Sequence, residues 1–183
     1  MGSRQDLDFD GCAPLFWNRL VCCDFLRGYL DCPKSQNVLD KSLYTTLRCN
    51  EFAATTRVNT LWKYLLSEPW RWLAGKTAKL EGWSLIKMNW VAELVEDAFE
   101  QIVDEPSLIF DPNFNIFSAV AAELPAFADY QHEMLETVVS SPDGTKHEIV
   151  KLVLAQARTP DSGSGIEQAT AMTLELAKTQ ARS

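Results

Sequence analysis

The chain has 183 residues and 20.6 kDa, enough for one domain with a real core and too little for two ordinary ones. Hydrophobic residues make up 46% and charged residues 23%, which excludes general disorder. The net charge of −8 and pI near 4.8 disfavour non-specific binding to nucleic acid or to an anionic membrane, both of which need a basic surface.

Residues 1–11 read as a polar, acidic N-terminal tail without the charged-then-apolar pattern of a secretory signal. No apolar run approaches the roughly 20 residues that cross a bilayer. The expectation is a soluble, intracellular protein, cytoplasmic or nuclear. Cys12, Cys22, Cys23, Cys32 and Cys49 are odd in number and lack the paired spacing of a zinc site, so they read as reduced thiols packed as small apolar groups.

Helical periodicity dominates from Pro14 onward. Apolar residues cover most of the circumference from Pro14 to Leu30, which predicts a largely buried helix that Asp31-Cys32-Pro33 ends. A shorter helix is predicted over Val38–Cys49. The next, Glu51–Leu66, carries Val58, Leu61, Trp62 and Leu65 on one face, with Ser67-Glu68-Pro69 as its break. Pro69 suits the first turn of a short helix running to Leu80, closed by Gly82. Ser84 can cap a helix over Leu85–Val103, in which Met88, Val91, Val95, Ala98, Phe99 and Ile102 line one side. Glu93, Glu96, Asp97, Glu100 and Asp104 occupy the other side, and Trp90 projects to its edge.

After the Asp111-Pro112-Asn113 loop a helical pattern runs from Phe114 to about Val139, with a stripe of Phe117, Val120, Leu124, Ala128, Leu135 and Val138 and a break expected at Pro125. Ser141-Pro142-Asp143-Gly144 signals a turn, and His147–Arg158 fits a short helix. Residues 159–165 read as a linker by composition. Residues 166–183 read as a flexible helical tail whose thin stripe of Ile166, Ala169, Met172 and Leu176 makes it marginal alone. The fold class expected is all-α: a compact bundle or short stack of about six to seven helices over residues 12–158, plus that tail.

Charge is segregated along the chain. From Arg57 to Trp90 there are six positive charges, two negative ones and five of the six tryptophans. From Val91 to Thr145 there is no lysine or arginine, against twelve Asp and Glu. Such a sign change lets two parts of one fold face each other or offers two unlike surfaces to partners. The candidate binding cluster is Trp70, Arg71, Trp72, Lys76, Lys79, Trp83, Lys87 and Trp90, since indoles and guanidinium groups are enriched in interface hot spots. The competing account has the tryptophans in the core and the lysines facing the acidic helices.

Chemistry-bearing patterns are sparse. Asp129, His132 and Glu136 share one side of a helix and could hold a divalent ion, but no second acid-x-x-His element accompanies them. Asp111-Pro112-Asn113-Phe114-Asn115 opens like a calcium loop, yet Ile116 stands where glycine must turn and Ala122 where glutamate must ligate. Phosphate-binding and nucleophile-elbow motifs are missing. The sequence therefore points to a non-catalytic helical protein–protein interaction module, an adaptor or scaffold that needs no cofactor and binds another protein. The alternative is a helical metal-dependent enzyme or metal-binding protein using Asp129, His132 and Glu136.

Overall fold

The computed structural model describes residues 4–31, 37–76, 83–140, 143–159 and 165–180. The helix stop at Cys32-Pro33, the closing Gly82, the Ser141-Pro142 half of the turn and most of the 159–165 linker lie outside the described residues. The all-α architecture forms, with one small hairpin added.

Helix α1 spans Arg4–Leu30 and so begins upstream of Pro14, which it holds internally. One turn further along the helix, the Asn18 side-chain amide donates to the Pro14 carbonyl at 3.0 Å. The expectation of a largely buried α1 does not hold. Ala13, Phe16, Cys23 and Leu26 face inward, whereas Leu20, Val21 and Phe25 face solvent. The reason is coverage: of the helices, α2 (Val38–Arg48) and α3 (Asn50–Trp62) make its main contacts, and two neighbours occupy only one side of a cylinder.

Asn37 caps α2 by accepting from the Asp40 amide at 2.8 Å. Val58, Leu61 and Trp62 of α3 are buried as their spacing requires. The predicted break at Ser67–Pro69 is instead a change of helical pitch. Residues Lys63–Ser67 form a π turn, in which the Glu68 amide reaches back to the Lys63 carbonyl, and α4 (Glu68–Lys76) continues directly from it. Pro69 then sits in the first turn of α4, where its missing amide costs little.

Helix α5 spans Leu85–Asp104, with Ser84 accepting from the Lys87 amide at 3.5 Å. Val91, Ala98, Phe99 and Ile102 are buried, and the five carboxylates of the opposite side are exposed. A 3-10 turn, Pro106–Phe110, inserts Ile109 into the core. The Asp111 and Asn115 side chains each accept a backbone amide two residues on, which shapes the loop to α6 (Ser118–Glu123). Arg158 holds that loop by donating to the carbonyls of Pro112 at 3.0 Å and Phe114 at 3.3 Å. Burial lowers the pKa of its guanidinium, since desolvation disfavours the charge.

Pro125 divides the 114–139 pattern as expected and opens α7, Pro125–Leu135. The ends of the predicted flanking helices are strands. Antiparallel β1 (Val138–Ser140) and β2 (Lys146–Glu148) pair Val139 with His147. The turn explains the difference: Gly144 adopts φ +83°, open to glycine, and Asp143 accepts from the Thr145 amide at 3.0 Å. Val138, expected in the helical core stripe, is consequently half exposed on β1.

Helix α8 (Ile149–Arg158) returns to the core through Val150, Val153, Leu154 and Ala157. Helix α9, Gly165–Gln180, lies against α3, α5 and the 3-10 turn with Ala169, Thr173 and Ala177 fully buried. These small residues recur every fourth position, which lets two backbones approach closely. Thr173 and Thr60 are buried without cost to polarity because each hydroxyl donates to the carbonyl four residues back, at 2.8 and 2.6 Å. Of the expected stripe, Met172 is half-buried and accepts from the Thr55 hydroxyl of α3 at 3.3 Å; the side chains of Ile166 and Leu176 lie outside the described set.

Candidate partner-binding surface

The tryptophan-rich basic segment is divided by the fold into an inner and an outer part. Trp72, on α4, stacks on Tyr130 of α7 with ring centroids 4.9 Å apart and 19° between planes. It also meets Phe127 at 5.6 Å. Trp83 is buried, and Trp70 and Trp90 are half-buried against the same core. The cations stay outside: Arg71, Lys76 and Lys87 are exposed, whereas Lys79 lies outside the described residues. Lys87 rests 5.5 Å above the Trp83 ring and 3.9 Å from Glu123 of α6, while Arg71 pairs with Glu68 at 3.2 Å. Such exposed pairs contribute about 0–1 kcal/mol each, so exchanging them for contacts with a partner costs little.

Tyr130 carries the clearest electrostatic signature of this corner. Burial first, and the Glu68 charge second, push its phenol up to about 12, with Arg71 opposing. The folded pKa lies above the ordinary value, so folding favours the protonated phenol. This contribution is complete below the unfolded pKa near 10 and fades as pH climbs towards about 12. An absorbance titration at the tyrosinate band is expected to show a late phenol step near pH 12, and Tyr130→Phe removes that step.

The helix-borne carboxylate and imidazole group is open and dispersed. His132 Nε2 lies 3.3 Å from Glu136 Oε2, and Glu136 Oε1 lies 3.9 Å from Lys151 Nζ, which also pairs with Glu148 at 3.0 Å. A lysine ammonium thus occupies the flank where a cation would have to enter. Among the described residues, no three His, Cys, Asp or Glu side chains come together as a metal-holding group, and Asp129 does not complete one with His132 and Glu136.

A second surface emerges that motif and charge patterns do not single out. On α1, Val21 is 69% and Phe25 72% exposed, and on α2 Val38 is 85% and Leu39 74% exposed. Cys22 is exposed beside them as a free thiol. A signal is present in the sequence: apolar residues encircle α1, which requires either complete burial or a cover for its outer side. Among the described residues no helix is long and apolar enough to cross a membrane.

No protein-family model, curated protein or solved structure matches this chain. The functional reading rests on its own residues.

Proposed function

We propose that this protein is a non-catalytic helical interaction module, an adaptor or scaffold that binds another protein. The observation that carries the reading is the apolar outer side of the first two helices. Full burial of a Val, Leu or Phe side chain is worth about 1.5–3 kcal/mol, so Val21, Phe25, Val38 and Leu39 together offer a hot-spot-sized reserve that the isolated chain does not use. The exposed Arg71 and Lys76 of α4 and Lys87 of α5, and the exposed carboxylates further along α5, supply charged rims that steer encounter and select partners. The exposed Cys22 thiol fits a reducing, intracellular compartment.

The test uses the full chain carrying Val21→Ser, Phe25→Ser and Leu39→Ser. All three positions are exposed, so each change is expected to alter stability by about 0.5 kcal/mol or less. Binding to partners recovered from the native cell with the unaltered chain is expected to fall at least about tenfold, the loss of one buried apolar anchor. Partners retained at full affinity would overturn the reading. Charge reversal at Arg71, Lys76 and Lys87 is expected to slow association and to leave dissociation nearly unchanged, as a rim does.

A further inference from the structure

Exposed apolar surface is concentrated on the first two helices. Of the twelve large apolar side chains exposed among the described residues, eight belong to α1 and α2. Helix α2 returns antiparallel beside α1, since Arg19 donates to the Leu47 carbonyl at 3.0 Å and Arg27 donates to the Tyr44 hydroxyl at 3.3 Å. Cys23, Leu26 and Leu47 are buried together where the two helices meet. With that inner side fixed and about 100° turned per residue, Leu15, Cys22 and Phe25 of α1 fall on the same outer side as Leu39 and Leu43 of α2, with Val21 at the margin. We propose, on the reading that this side is a docking surface, that its occupant is a second copy of the chain: two α1–α2 hairpins stack across a two-fold axis into a four-helix arrangement.

Area, charge and symmetry favour a second copy. Leu15, Val21, Phe25, Leu39 and Leu43 are 44–74% exposed, and with Cys22 they offer on the order of 500 Å² per chain, or about 1,000 Å² for a pair, which is where specific interfaces begin. Two chains of net charge −8 repel over most of their surface, but residues 11–48 carry five Lys and Arg against three Asp, so copies can meet here without that penalty. The charges of these helices are engaged within their own chain: Arg19 reaches the Leu47 carbonyl, Asp24 pairs with Arg27 at 3.5 Å, and Arg48 lies over the Tyr44 ring. An apolar face without charge needs no opposite sign across from it and is its own complement. Cys22 stands midway along the exposed stripe of α1 from Leu15 to Tyr29, so an antiparallel crossing of α1 with its copy brings the two Cys22 side chains to the axis. An interface of this size is at the small end, so the pair is reversible: the dilute chain is monomeric, and the exposed positions add stability only when it is concentrated.

Sedimentation equilibrium of the full chain with a thiol reductant is expected to give 20.6 kDa at low micromolar concentration and to approach twice that mass towards millimolar concentration. Phe25→Ser combined with Leu43→Ser is expected to weaken self-association at least about tenfold. Ile86→Ser removes an 80% exposed apolar side chain from α5 instead, and is expected to leave self-association within about twofold. Cys22→Asp and Cys22→Lys chains are each expected to stay monomeric alone and to pair when mixed, a recovery that requires the two copies to meet at this residue. The inference is overturned if the full chain keeps its monomer mass throughout, if Ile86→Ser weakens self-association as much as the Phe25→Ser, Leu43→Ser pair does, or if the mixture associates no more than either charged variant alone. A monomeric chain whose Val21→Ser, Phe25→Ser, Leu39→Ser variant still loses partners from the native cell overturns the second copy and leaves the docking of an unlike protein standing. A dimer whose triple serine variant keeps every unlike partner upholds the second copy and removes the unlike one, so the two failures are told apart.

Discussion

Phe127→Ala is expected to destabilise the protein by about 3–5 kcal/mol and to lower Tm by about 10 °C. The Phe127 ring is fully buried at the meeting point of three others: Trp72 at 5.6 Å, Phe117 at 5.8 Å and Tyr130 at 6.0 Å. Removing it deletes the apolar area it shields and leaves a cavity between α4 and α7, because the flanking rings are held by their own packing and cannot collapse onto each other. Phe25→Ala is the matched comparison. That ring is 72% exposed, so its loss is expected to change stability by about 0.5 kcal/mol or less. Chemical denaturation of the two variants measures the difference directly. Similar large losses at both positions would mean that α1 is covered on its outer side in the free protein, which would remove the basis of the docking proposal.

Ala177→Asp is expected to be of comparable size. Ala177 is fully buried where α9 lies among α3, α5 and the 3-10 turn, so a carboxylate there would have to enter the core. An uncompensated buried charge costs about 3–5 kcal/mol in proteins, and part of that is recovered in acid as the carboxyl takes up a proton. Ala171, exposed on the same helix, supplies the control. Ala171→Asp is expected to cost less than about 1 kcal/mol, since it changes helix propensity and little else. Thermal melts of both at pH 7 and pH 4 separate burial from propensity. Equal small losses would show that α9 contributes no packing in solution.

The parts of the fold that are legible in the sequence are those decided by neighbours along the chain. Met88, Val91, Val95, Ala98, Phe99 and Ile102 recur at the helical period, Ser84 has the hydroxyl that an N-terminal amide needs, and Pro125 cannot donate within a helix; α5 and the start of α7 result. The break expected at Ser67–Pro69 does not form because a π turn lets a helix pass a proline without ending, and no propensity scale marks that option. The hairpin is hidden behind a helical pattern because three-residue strands are too short to show alternation, and their pairing depends on the left-handed Gly144. Phe127 falls outside the predicted stripe, yet it is ringed by aromatic side chains, one of them Trp72 from another helix.

The candidate surfaces divide in the same way. Sequence locates the tryptophans and the cations of residues 70–90 but does not say which face inward; Trp72 and Trp83 join the core because distant helices, α7 among them, meet them there. The outer side of α1 reads as interior because periodicity reports how apolar a helix is and says nothing of how many neighbours it has. By itself the chain determined the all-α character, the Ser84 cap, the division at Pro125 and the segregation of charge, all of which act over a few residues. Tertiary packing alone decided that α1 keeps a bare apolar side and that the small-residue face of α9 is covered by α3 and α5. Each of those depends on which distant segments come together, and burial energy depends on the area they jointly hide from water.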